Sequence, residues 1–306
     1  MTAPRSLALA AGIVLFTAPT PAQPPQGASS AEAEMQVIEF AFAPPIGTIL
    51  RYEQVRAGLV DGRPSGARLF YDYSFERREG GYLVWVELTG IEGLGNEQRA
   101  RLAETVAAPM LNIRYAIELS PDGGPLAIRS EEAVWAATLD GFALIESEMR
   151  SRTGIGEEER AQMLGILAAI REQDGALRRN GMLIVIDDLI SLAGRTIAIG
   201  ENPHEDDIAS PLGGTVPFTG TISAGLVAED MAEIEIAGIA NTAGQFAIRE
   251  QVQYRAAPSS GLVHRMERSR AFEARGGAET QPYRETVTIR LIEEIPAGDR
   301  TSTGSN

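Results

Sequence analysis

Between residues 215 and 293 the chain alternates apolar and polar side chains through about five successive segments, and this pattern limits the fold more than any other. Val216, Phe218 and Ile222 share one face, against Thr215, Thr219, Thr221 and Ser223. Ile234 and Ile236 oppose Glu233 and Glu235, and Phe246, Ile248, Val252 and Tyr254 oppose Arg249, Gln251, Gln253 and Arg255. Leu262 and Met266 oppose Arg265 and Glu267, and Val287, Ile289 and Leu291 oppose Thr286, Thr288 and Arg290. Successive strand side chains point to opposite faces, so this spacing predicts an antiparallel meander with one buried face. The connections at 243–244, 258–261 and 276–277 carry the Gly, Ser and Pro that such turns use.

Residues 37–91 repeat the pattern. A strand is expected over 49–57, and Leu69, Tyr71, Tyr73 and Phe75 alternate with polar residues, with Phe70 as the exception. A turn at 78–81 leads to a return strand carrying Tyr82, Val84, Val86 and Leu88; Leu83 and Trp85 make its other face apolar as well. Residues 96–194 read mainly as helix. A helix over 96–108 stops at Pro109, and a short hairpin follows over 113–128. Ser130 suits a helix N-cap, and Trp135, Leu139, Phe142, Ile145 and Met149 recur at helical spacing. A second stripe over 157–173 has Met163, Ile166, Leu167 and Ile170, while 182–192 fits either strand or buried helix.

The expected fold class is therefore α+β: a large curled antiparallel sheet of roughly nine to eleven strands, with a central helical insertion on one face. One domain, 37–295, would hold N-terminal strands (37–91), the helical insertion (96–194) and the C-terminal meander (215–293). This strand–helix–strand layout resembles the half-barrel of bacterial lipoprotein carriers of the LolA and LppX type, and exported bacterial proteins of similar order. The resemblance spans about residues 49–293 and is one of layout. It implies a hydrophobic cavity between sheet and helices, where carriers of that fold bind acyl chains.

Residues 1–22 have the order of a secretory signal: Arg5 in a short charged start, an apolar run over 6–16, and small residues at Thr20-Pro21-Ala22 before Gln23. Cleavage there would send the protein to the periplasm or beyond, with 23–36 as a flexible leader and 296–306 as a disordered tail. Cysteine is absent, so disulfides, thiolate chemistry and lipidation through Cys are excluded. Every basic residue is Arg, which excludes Schiff-base lysines and a P-loop. A net charge of −15 disfavours nucleic acids and anionic membranes as partners. After the signal no apolar run approaches a bilayer's thickness, so no transmembrane segment is expected.

Two clusters invite chemistry. His204, Glu205, Asp206 and Asp207 place a His and three carboxylates side by side; this suits a hard cation, but the spacing matches no EF-hand loop and a solvated acidic loop before Pro211 is the simpler expectation. Asp187-Asp188 pairs two carboxylates, but helical neighbours point about 100° apart, so an exposed helix face is the simpler expectation. The Arg residues at 249, 255, 265, 268, 270, 284 and 290 suit cross-strand pairing with Glu250, Glu267, Glu273 and Glu285, or an anion patch. His264, between Leu262 and Met266, would be a polar point on an apolar face. With Trp135 and Phe142 on the helix stripe, these residues make the candidate ligand set. No catalytic residue, cofactor or metal is assigned: a Ser-His-Asp site would need His204 or His264, and no G-x-S-x-G elbow is present. The expected function is non-catalytic binding of a hydrophobic or amphipathic ligand such as a lipid. An envelope module that binds a protein partner is the alternative, and a hydrolase ranks lower.

Overall fold

Each alternating segment becomes a strand. The computed structural model describes residues 36–60, 63–95, 97–151, 157–172, 175–209, 215–241, 246–274 and 283–299. Residues 1–35, expected as signal and leader, residues 300–306 of the expected tail, and the connections at 242–245 and 275–282 lie outside them. A first meander comprises β2 (Thr48–Val60), β3 (Arg63–Arg78), β4 (Gly81–Leu94), β5 (Arg114–Leu119) and β6 (Pro125–Arg129). A second comprises β8 (Gly200–Ala209), β9 (Thr215–Ala228), β10 (Met231–Asn241), β11 (Phe246–Ala257), β12 (Leu262–Ala274) and β13 (Tyr283–Pro296). They join through β2 and β13 into one antiparallel sheet of order β6-β5-β4-β3-β2-β13-β12-β11-β10-β9-β8. Pro296 still pairs with Thr48, and Ala297–Asp299 form a 3-10 turn, so order runs into the segment expected as tail. A separate ribbon pairs β1 (Val37–Glu39) with β7 (Thr196–Ala198), and Ile38 and Ile197 enter the core.

The first meander turns sharply at 79–80, where Gly80 has φ 83°. A Cβ on the next residue, Gly81, would stand 2.1 Å from the Leu119 carbonyl oxygen, so the close approach of β5 also requires glycine there. Phe70, the odd apolar residue of β3, lies beside a bulge at Thr89 and packs over Gly90 on the outer face.

α1 (Glu97–Ala107) interrupts the first meander between β4 and β5, and α2 (Glu131–Ser151), α3 (Glu157–Arg171) and α4 (Gly175–Ile190) lie between the two meanders. The ambiguous run at 182–190 is therefore helix. α1 rests on Gly93 of β4, where a Cβ would stand 2.1 Å from the Ala100 carbonyl oxygen, and the Gly93 amide donates to Glu104 (3.0 Å). On α2 the buried residues are Val134, Ala137, Gly141 and Met149. Of the expected stripe only Met149 is among them; Trp135, Leu139, Phe142 and Ile145 are half-buried, because α2 packs against both α1 and α3.

α4 crosses the inner face of the sheet. Tyr115 of β5 donates to the Met182 carbonyl (3.5 Å), Tyr73 of β3 to that of Val185 (2.7 Å), and Arg268 of β12 to the Asp188 carboxylate. Met182, Ile186, Leu189 and Ile190 share one core with Tyr52, Tyr71, Tyr73, Val84, Val86 and Ile117 of the sheet. Burial raises the phenol pKa of Tyr52, Tyr73 and Tyr115, and pushes Tyr71 up to about 12, so all four stay neutral as core residues should.

Candidate functional site

The inner face is apolar at both ends and polar in the middle. The register aligns Val252, Arg268, Val287, Arg56 and Ala67 in one cross-strand row. On one side lies the row Glu250, Arg270, Glu285 and Gly58; on the other lies Tyr254, Met266, Ile289, Gln54 and Leu69. Three arginines, two glutamates and a glutamine thus sit on the face that α1 and α4 cover.

Two of the arginines are neutralised in place. Arg268 Nη1 donates to Asp188 Oδ1 (2.9 Å) and Nη2 to Oδ2 (3.4 Å), with side chains only 15% and 9% exposed. Burial alone would lower the Arg268 pKa, but the charges of Asp188 and Glu250 hold it above the ordinary value. Arg270 is bonded to Glu250 across the strand pair. The Asp188 charge also reaches Tyr254, whose pKa is raised first by burial and then by that carboxylate.

The third arginine is different. Arg56 Nη2 is buried without a hydrogen-bond partner, and so is Oε1 of Gln54, a residue 3% exposed. Buried polar atoms are nearly always satisfied, so an unpartnered donor and an unpartnered acceptor two residues apart on one face are unusual. The Arg56 charge opposes, as a lesser effect, the rise that burial causes in the Tyr71 and Tyr73 phenols on the same face. Tyr71 in turn lines an apolar cavity of about 10 Å³ with Leu88, Met110, Ile113, Tyr115 and Val134.

Larger concavities of about 510 and 530 Å³ open on the opposite, polar face. The first is lined by Ser223, Glu233, Glu235, Gln253, Arg255 and Arg265. Those walls are occupied by their own pairs, such as Arg255 with Glu233 (2.6 Å) and Gln251 with Glu235 (2.8 Å).

Leu262 and Met266 of the expected ligand set are fully buried in the main core. His264 is not in line with them. Ala256 pairs with Val263 and Arg255 with Arg265, so His264 is the extra residue of a bulge and Val263 takes the place in the buried row. A one-residue insertion reverses side-chain parity, which the alternating pattern could not reveal. Trp135 packs against the core with the Arg178 guanidinium 5.3 Å over its ring, and Phe142 is half-buried on α2.

The segment expected as an acidic loop is the edge strand β8. His204 pairs with Gly220 and Asp206 with Phe218, while Glu205 and Asp207 face the other way. Acidic residues and Pro203 suit an edge, where they discourage pairing with another chain. His204 Nε2 lies 3.9 Å from Asp206 Oδ2 and its ring meets Phe218 edge-on at 6.1 Å. Among the described residues no three His, Asp or Glu side chains converge as a metal site.

Asp187 and Asp188 do not share an exposed face as expected. Asp188 is 6% exposed and ion-paired, whereas Asp187 keeps solvent contact. Partial burial and the Asp188 charge push Asp187 up to about 6. Ser259 is held in its turn by Asp230, to which both its amide (2.9 Å) and its hydroxyl donate.

Gln54 and Arg56 were not singled out by the sequence. Their signal was the even-numbered row of β2, which starts apolar at Leu50 and Tyr52 and then turns polar without leaving the buried face. Among the described residues no helix is long and apolar enough to cross a membrane. The chain matches no protein-family model and no curated protein.

Proposed function

We propose that this protein is an exported, non-catalytic binding protein that takes an amphipathic ligand between its sheet and α4. The observation that carries the reading is the pair of buried polar atoms without partners, Gln54 Oε1 and Arg56 Nη2, on the helix-covered face. A folded chain that leaves such atoms unpaired forgoes about 1–3 kcal/mol for each, and a ligand that supplies the partners recovers it. The apolar rows beside them, with Tyr71 and Leu69, suit the hydrophobic part of the same ligand.

The half-barrel layout of lipoprotein carriers belongs to this proposal, with the sheet as cradle and α4 as its cover. The cavity of about 10 Å³, beside Val134 of α2, is too small for an acyl chain, so in this reading the helices over the inner face lift to admit one, α4 with them. Its polar ties to the sheet, through Asp188 and the carbonyls of Met182 and Val185, can be exchanged with water as it does so. Export rests on the signal-like order of residues 1–22.

The test is native mass spectrometry of the chain purified from the periplasm, followed by solvent extraction. A stoichiometric amphiphile, on a polypeptide beginning near Gln23, is the expected result. A bare polypeptide that also takes up no amphiphile from a total lipid extract would overturn the reading.

A further inference from the structure

We infer that the site selects an anionic head group, a carboxylate or phosphate that also carries an O–H or N–H donor, bound by Arg56 and Gln54. This rests on the binding reading above and specifies its ligand. Three arginines lie on the covered face, and two already hold carboxylates: Arg268 has Asp188, and Arg270 has Glu250. Arg56 presents a buried N–H with no acceptor. A guanidinium does not lose its proton in a protein, so it stays a cation and calls for an anion. Its planar fork fits a carboxylate or a phosphate oxygen pair.

Gln54 adds the second requirement. Its orphan atom is a carboxamide oxygen, an acceptor, which needs a donor from the ligand. Residues two apart on a strand lie about 7 Å apart on the same face. One small head group can therefore meet both, placing its anion on Arg56 and its hydroxyl or amide on Gln54. The neighbourhood supports an amphiphile in particular. On one side Ala67 continues the row of Arg56 with only a methyl group, and α1 packs directly onto Gly93 beyond it. On the other side Tyr71, two rows along the same face from Arg56, lines the apolar cavity under α2. Head and tail thus have adjoining places, polar and apolar, on a single face.

The experiment is isothermal titration of the full chain with four dodecyl probes: N-dodecanoylglycine, monododecyl phosphate, dodecanoate and dodecan-1-ol. The wild type should bind N-dodecanoylglycine or monododecyl phosphate about 10-fold or more tightly than dodecan-1-ol. Whichever of these two binds more tightly identifies a carboxylate or a phosphate head. Arg56→Met should remove that advantage, bringing both anionic probes to within about 2-fold of dodecan-1-ol. Gln54→Leu should bring N-dodecanoylglycine down to the level of dodecanoate. Equal affinity of the wild type for the anions and the alcohol overturns the head-group assignment while leaving ligand binding intact. That comparison needs no variant, so it stands even if a substitution prevents folding. Failure of all four probes to bind, dodecan-1-ol included, overturns the binding reading and this inference together.

Discussion

The two faces of the central sheet carry the same ion-pair chemistry in opposite surroundings. On the outer face Arg255 meets Glu233, Arg249 meets Glu273 and Arg290 meets Glu53, with arginine side chains 55–58% exposed. On the inner face Arg268 meets Asp188 and Arg270 meets Glu250 with little solvent contact. Water screens the outer pairs, so each adds little, whereas the inner pairs had to shed their hydration before they could form. A chain that only needed a stable core would have filled the inner rows with Val and Ile, as it does elsewhere on the same strands. The charged middle of an apolar face therefore reflects a demand other than stability, and binding is the demand proposed here.

The largest test of that contrast removes one inner partner. Asp188→Ala should cost about 3–5 kcal/mol in urea unfolding, because it leaves the Arg268 charge buried and alone. Replacing both partners, as Asp188→Leu with Arg268→Met, should return stability to within about 1 kcal/mol of the wild type. A double variant as unstable as the single one would show that the pair holds the fold together, and the contrast between faces would fail. A smaller effect is expected at Asp187, whose pKa of about 6 lies above the usual carboxylate value. A raised carboxyl favours the protonated folded state, so its stabilisation is complete below about pH 4 and lost as the pH rises through 6. Asp187→Asn should match the wild type at pH 4 and exceed it at pH 7.5 by about 1 kcal/mol, once solvent screening is allowed for. The smallest change is expected outside: Arg255→Gln should shift stability by less than about 1 kcal/mol and by still less in high salt.

The strands were legible because their side chains alternate wherever one face is wet. Thr219 and Glu235 point out, Phe218 and Ile234 point in, and the period follows. Legibility ended where local pattern stopped recording the environment. At His264 a bulge adds one residue and reverses the parity, and the sequence bears no mark of it. At 200–209 Pro and acidic residues read as loop, though an edge strand tolerates them because half its backbone groups need no partner strand. The site itself was hidden for a different reason. Gln54 and Arg56 look like ordinary outward residues of a half-exposed strand, and only the placement of α1 and α4 over that face buries them. Burial of that kind is a tertiary fact, set by helices that begin about 40 and about 120 positions further along the chain.

The junction of β2 with β13 also bears on the order of events in time. Each meander is built from hairpins between neighbours in sequence, which can close quickly. The seam joins Arg51 to Glu293, 242 residues apart, so it waits for almost the last strand to be made. Until then β2 and β12 each present a bare edge. Folding of this chain is thus two fast halves followed by one slow closure. The Gln54 and Arg56 row, which lies on that seam, is the part of the molecule completed last.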